Sequence, residues 1–351
     1  MQKEIKNNDR FYKIIKGILA ACIPFFIFLC VSWFLQRRNI IPSDFSSVTK
    51  KEKTPVNVSA EKQQNITKSL EGAILANDLE LVKNFINQGA DVNAKDNLGN
   101  PYLSLACQYG SIEIVKELIE KGADVNAKDQ NGYTALIRAI NRKNLNIAKF
   151  LIENGADVNT KINDGSTPLI FANFNRDIES TKLLIEAGAN VNEKVQGKYS
   201  PLFNLVFSEK NPHLLKTFDE NATAEIAKLL LEAGANANEK TEHNLTLLGW
   251  TSINGSVPLS KVLIEHGADV NARFGSVLYP EDKPSNEDFS PLMFAVVNIN
   301  KDIELVNLLI EHGADVNAKD SSGRSVLGYA KATTFDNTEI INILIQAGAK
   351  E

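Results

Sequence analysis

Residues 111–136 read SIEIVKELIEKGADVNAKDQNGYTAL, and this stretch decides the fold. Its first half has the pattern of an amphipathic helix. Ser111 is a residue type that caps the exposed N–H groups of a first helical turn. Ile112, Val115, Leu118 and Ile119 then recur at intervals of three and four, which places them on one helix face. Gly122 supplies the left-handed residue that ends such a helix. Residues 126–132, NAKDQNG, carry turn chemistry and predict a turn or hairpin. Thr134-Ala135-Leu136 then caps and starts another helix.

Working outward, the same pattern returns along the chain. A Gly-Ala pair begins at Gly89, Gly122, Gly155, Gly188, Gly234, Gly267, Gly313 and Gly348, at spacings of 33, 33, 33, 46, 33, 46 and 35. The flanks repeat too, as in Asp124-Val125-Asn126 and Asp157-Val158-Asn159. Thr167-Pro168-Leu169, Ser200-Pro201-Leu202 and Ser290-Pro291-Leu292 start first helices, because proline is tolerated in the first turn. A small residue follows five positions after the cap, at Ala139, Ala172, Ala295 and Ala330, and lets neighbouring helices approach closely. Second helices follow the caps Asp78, Ser111, Asp177 and Asp302. One such helix pair cannot bury its apolar side alone, but stacked pairs share a continuous core. Terminal units of an array should differ. The first, near residues 67–88, lacks the Thr-Pro-Leu start, and the last reaches Gly348 without another hairpin.

These motifs resemble the ankyrin repeat, from Gly-x-Thr-Pro-Leu through the second-helix run to Gly-Ala-Asp-Val-Asn-Ala. The resemblance covers residues 66–351. It implies an all-α, helix-turn-helix solenoid of about eight repeats with β-hairpin fingers, and first helices lining a concave palm. It also implies a protein partner and no catalytic residues. The histidine that usually follows Thr-Pro-Leu is absent, replaced by Ile170, Phe203, Gly249, Met293 and Gly328. Two units carry insertions, one within residues 207–223 and one within 273–289, on which the family pattern is silent.

The N-terminal part is of another kind. Residues 1–16 form a basic segment. Residues 17–36 carry no charge and are rich in Ile, Leu, Phe and Val. About 20 such residues suffice for a helix to cross a bilayer. Lys13 and Lys16 on one side and Arg37 and Arg38 on the other bound a single transmembrane helix, with Trp33 near its end. A cleaved lipoprotein signal around Cys22 is the rival reading. It has too few apolar residues before the cysteine and too many after it. Basic density favours residues 1–16 inside, which places the repeat domain on the extracytoplasmic side of a single-pass membrane protein. Residues 37–65 read as a linker, with a reach on the order of 30 Å if flexible.

Little in the chain offers chemistry. The net charge of -5 hides a basic N-terminus and an acidic remainder, which speaks against nucleic acid. His266 and His312 precede Gly267 and Gly313, at the negative ends of equivalent helices. No metal-binding, nucleophile-elbow or phosphate-loop pattern appears in the sequence, and no metal or cofactor is expected. Cys107 reads as a buried, inert thiol. Asp129 and Asp320 read as solvated turn carboxylates rather than calcium ligands, because no DxDxDG ladder exists.

Binding positions should vary between units while core positions repeat. By that criterion Leu98, Asn100, Asn131, Tyr133, Tyr199 and His243 are candidates at the hairpins. Tyr109, Arg142, Phe174, Phe207 and Ile253 are candidates at the ends of first helices. Exposed aromatic groups make strong anchors, each worth roughly 2 kcal/mol at an interface centre. Trp250 falls where other units have Leu105 or Phe171, and reads as core. The expected function is a membrane-tethered scaffold that binds a protein partner and is not an enzyme. The alternatives are a structural spacer, or an enzyme with its site in the inserted loops.

Overall fold

Most of the helix pairs are built from the same local hydrogen bonds. Asp78, Ser111, Asn144, Asp177, Asp219 and Asp302 each accept from the backbone N–H three residues on, which satisfies a donor that the helix leaves orphaned. At the far end the glycine takes over. Gly122 has a φ of 89°, its N–H reaches the carbonyl of Ile119 at 2.9 Å, and the N–H of Ala123 reaches Leu118 at 2.9 Å. This left-handed closure costs any residue with a Cβ more than it costs glycine.

The structure, a computed structural model, describes residues 58–109, 111–207, 219–241, 244–274, 288–298, 302–333 and 336–351. These residues form sixteen helices in eight consecutive pairs. The chain divides into two units, whose described residues fall in 58–201 and 202–351.

The first unit contains α1 (Val58–Leu75), α2 (Leu79–Asn87), α3 (Tyr102–Tyr109), α4 (Ile112–Glu120), α5 (Ala135–Asn141), α6 (Leu145–Glu153), α7 (Pro168–Phe174) and α8 (Ile178–Glu186). The first helices α1, α3, α5 and α7 pack in succession, as do the second helices α2, α4, α6 and α8. Leu136, Ile137 and Ile140 on α5 are fully buried, as are Val115 and Leu118 on α4 and Ile147 and Leu151 on α6. Each such side chain contributes roughly 1.5–3 kcal/mol by leaving water. Ala139 and Ala172 are 0 % exposed, in the close approaches expected of them.

The division falls at the start of α9 (Pro201–Phe207). The second unit continues with α10 (Glu220–Glu232), α11 (Leu247–Asn254), α12 (Val257–Glu265), α13 (Pro291–Ala295), α14 (Ile303–Glu311), α15 (Val326–Lys331) and α16 (Thr338–Gln346). Here too first helices follow one another (α11, α13, α15), and so do second helices (α10, α12, α14, α16).

Two expectations change. Helix α1 begins at Val58, inside the stretch read as a linker. Its polar face hid it, because residues 62–65 are all exposed and show no apolar period. It is held where its chain crosses the end of α2. The amide of Gln63 donates to the carbonyl of Gly89, and the hydroxyl of Thr67 accepts from the N–H of Asp91 at 3.3 Å. The fingers also differ from β-hairpins. Among the described residues there are no strands, only single bridges such as Lys95 to Pro101 and Lys319 to Ser325. Within a finger the N–H of Asp96 pairs with the carbonyl of Asn100 at 3.0 Å, while the N–H groups of Leu98 and Asn100 go to the Asp96 side chain.

Among the described residues no helix is long and apolar enough to cross a membrane, and residues 17–36 lie outside them.

Candidate interaction surface

The loops that carry the candidate positions are held from two directions. The first hold joins neighbouring repeats. The side chain of Asn93 donates to the carbonyl of Gly122 at 3.0 Å and accepts from the N–H of Asp124 at 2.7 Å. Asn126 makes the same pair to Gly155 (3.0 Å) and Asp157 (2.8 Å), and Asn159 to Gly188 (3.1 Å) and Asn190 (2.7 Å). In the second unit Asn238, Asn271 and Asn317 repeat it toward Gly267, Gly313 and Gly348. The recurring Val-Asn is therefore a rung, and not only a turn signal. Lysines add to it: Lys95 Nζ reaches the carbonyl of Lys128 at 2.8 Å, and Lys128 Nζ that of Lys161 at 3.2 Å. Asn126→Ala deletes one rung. Because the rung is exposed and water can replace it, the expected loss is only about 1 kcal/mol. Urea unfolding followed by circular dichroism checks it; a variant as stable as the parent would show that the rung carries no energy.

The second hold lies within each finger. Asp96 accepts from the N–H groups of Leu98 and Asn100, each at 2.8 Å. Asp129 accepts from Asn131 (2.8 Å) and Tyr133 (2.9 Å), and Asp320 from Ser322 (2.9 Å) and Arg324 (2.8 Å). Asp129 and Asp320 are 8 % and 7 % exposed, so they are not the solvated carboxylates that composition suggests. Each also meets a partner nine residues on. Arg138 pairs with Asp129 at 2.6 Å, while the hydroxyl of Tyr329 donates to Asp320. The two sites are exchanged versions of one another. Arg138 lies over the ring of Tyr133 at 4.6 Å, and Arg324 over that of Tyr329 at 4.7 Å. An arginine and a tyrosine stand four and nine residues after the aspartate in either order, and the stacked pair forms both ways.

With the loops fixed, the candidate positions separate. Leu98 is 66 % exposed at a finger tip, and Tyr109 is 52 % exposed at the end of α3. Asn131 and Arg142 are exposed; Asn100, Phe174, Tyr199 and Ile253 are half-buried. Asn100 spends its amide on Asp96, at 2.7 Å. Tyr133 and Phe207 are core residues, and the surface loses them. The ring of Tyr133 is 6 % exposed and packs against Phe171 at 5.6 Å. Phe207, 7 % exposed, stacks between Phe203 (4.1 Å) and Trp250 (4.4 Å), which puts Trp250 in the core as expected. His243 lies outside the described residues.

The insertions are described only at their bases, because residues 208–218 and 275–287 lie outside the described residues. The second begins from the core. Phe274 and Phe289 exchange backbone hydrogen bonds of 3.1 and 3.0 Å, and both rings pack on Phe294. Phe274 is 1 % exposed.

The remaining reactive groups are structural where described. Cys107 is fully buried, and burial alone pushes its thiol pKa up, so the nucleophilic thiolate is suppressed. His266 and His312 close their own helices, each with Nδ1 against the carbonyl four residues back, at 2.8 and 2.9 Å. Among the described residues no group of His, Cys, Asp or Glu could hold a metal ion.

Comparison with known families agrees with this geometry. Residues 70–162 match the family model for ankyrin repeats in three copies, and residues 164–195 and 287–321 each match a single ankyrin repeat. No match to a curated protein is found. Outside the matched segments the same construction persists. Asn238 still reaches Gly267 at 2.8 Å, and Gly348, beyond the last matched segment, still accepts from Asn317 at 3.2 Å.

Proposed function

From a chain that carries ankyrin repeats, which imply a protein–protein interaction domain, we propose a membrane-tethered scaffold that captures one protein partner and performs no catalysis. The observation that carries the binding half is the second repeat. It presents Leu98 and Tyr109, two large apolar side chains, from an ordered finger tip and from the end of the adjoining first helix. The tip is fixed before any partner arrives, since Asp96 holds the N–H groups of Leu98 and Asn100. Little ordering entropy then opposes docking.

The tether is supported by sequence: residues 17–36 carry no charge and are flanked by basic residues on both sides. The reading places the array on the extracytoplasmic side. A topology reporter fused after Glu351 tests that side, and an inside signal would reverse it. Binding is tested with a photo-crosslinking side chain at position 98 or 109 of the full chain in its own membranes, with position 113 as control. Glu113 is exposed on α4, among the second helices. Discrete adducts from 98 and 109 that are missing from 113 are expected. Absence of any adduct would leave the chain a spacer.

A further inference from the structure

Two turns of the first unit hold long basic side chains in a backbone conformation that disfavours them. Lys143 (φ 55°) and Arg176 (φ 52°) each stand in the left-handed region, one residue before the caps Asn144 and Asp177. The same place is taken by Asn77 (φ 55°) in the first repeat and Gly255 (φ 72°) in the sixth. Asparagine and glycine suit that conformation, whereas a long side chain is strained in it. Arg176 has a local use, since its guanidinium donates to the carbonyl of Asn173 at 2.9 Å, but no bond of the Lys143 ammonium is found among the described residues, so the strain kept at position 143 calls for another reason to have a cation there.

The neighbours supply one. Tyr109 and Arg142 occupy equivalent positions, two residues before the caps Ser111 and Asn144. Arg142 and Lys143 are exposed, and neither pairs with a carboxylate among the described residues. Phe174 and Arg176 follow in the next turn, both half-buried. The amide of Asn175 lies 3.5 Å from the carbonyl of Ile140, so this turn rests on the end of α5 and the positions form one strip. The acids nearest to it in sequence are Asp177 and the first-turn residues Glu113 and Glu179. Ser111 and Asn144 are neutral caps, and Asp177 already accepts from the N–H and hydroxyl of Ser180 at 3.1 and 2.6 Å. A cationic, aromatic strip thus sits on a body that is acidic apart from the N-terminus.

We propose that this strip docks an acidic segment of the partner protein. Carboxylates of the segment meet Arg142 and Lys143, and an apolar side chain lies against Tyr109 and Phe174. The inference rests on the array being a protein-binding surface. A guanidinium and an ammonium match carboxylates. The acidic body disfavours a nucleic acid, whose phosphate lattice needs many clustered cations.

The test uses the full chain in nanodiscs and a short fluorescent peptide of Asp and Glu flanking one Phe, beside its Asn and Gln counterpart. The acidic peptide is expected to bind and the neutral one not, with affinity falling as salt rises. Lys143→Gly is expected to weaken binding about tenfold while melting no lower than the parent, because glycine relieves the turn. Arg142→Gln should weaken it by a similar factor. Unchanged affinity in both variants, equal binding of the neutral peptide, or no binding of the acidic one overturns the proposal. So does capture of phosphatidylserine vesicles or a single-stranded oligonucleotide in the peptide's place. If crosslinks from positions 98 and 109 persist in any of those cases, only the acidic ligand is wrong. If they too are missing, the binding reading itself fails.

Discussion

Phe274→Ala is expected to cost about 4 kcal/mol, the largest loss of any single truncation proposed for this chain. The ring is 1 % exposed and stacks on Phe294 at 5.4 Å with 17° between planes. It also fills the space that glycine leaves on α11: a Cβ at position 249 would lie 2.6 Å from the ring. Truncation therefore opens a cavity that Gly249 cannot fill, and it unseats the base of the second insertion. Urea unfolding should show the loss, and hydrogen exchange should show protection falling first around residues 244–298. A loss below about 1 kcal/mol would mean that the aromatic cluster collapses freely around the gap.

Asp320→Ala is expected to follow at about 3 kcal/mol, because hydrogen bonds to a charged acceptor are the costly ones to break. The carboxylate accepts from the N–H groups of Ser322 and Arg324, from the Ser322 hydroxyl at 2.7 Å and from the Tyr329 hydroxyl. Acid adds a second readout. Burial pushes this carboxyl's pKa up, but the hydrogen bonds from Tyr329, Ser322 and Arg324 outweigh it and hold the pKa below the ordinary carboxylate value. With the folded pKa below the unfolded one, the stabilisation is complete above the unfolded value and drains away as pH falls through the folded value. The parent should accordingly lose stability in acid faster than Asp320→Ala, so that the gap between them narrows. A gap independent of pH down to the folded pKa would remove the charged acceptor from the explanation.

The parts of this fold legible in sequence are those enforced in every repeat. Gly122 and its equivalents, the caps and the small residues at Ala139 and Ala172 obey rules that act within a few residues. Sequence reads Tyr133 and Phe207 as surface for the opposite reason, and the structure buries them. Both vary between repeats, yet each varies with a neighbour, Phe171 or Trp250, so variation marks a private core pair rather than a surface. Asp129 and Asp320 looked like water-facing turn residues because their partners lie nine positions away, beyond any local motif. The exchanged arginine and tyrosine at four and nine residues were the available signal. Helix α1 escaped because its exposed polar residues 62–65 interrupt the apolar period. Leu98 and Tyr109 stand out in sequence and are the most exposed of the apolar and aromatic candidates.

The asparagine rungs carry a consequence for how such a chain can change. In ordinary repeats the amide reaches a glycine 29 residues ahead; across the second insertion Asn271 reaches Gly313, 42 residues ahead, at an almost identical 2.9 Å. Added length there leaves the ruler between neighbours unstretched. Evolution or an engineer can lengthen, shorten or graft onto that loop while the spacing of everything beside it stays in step.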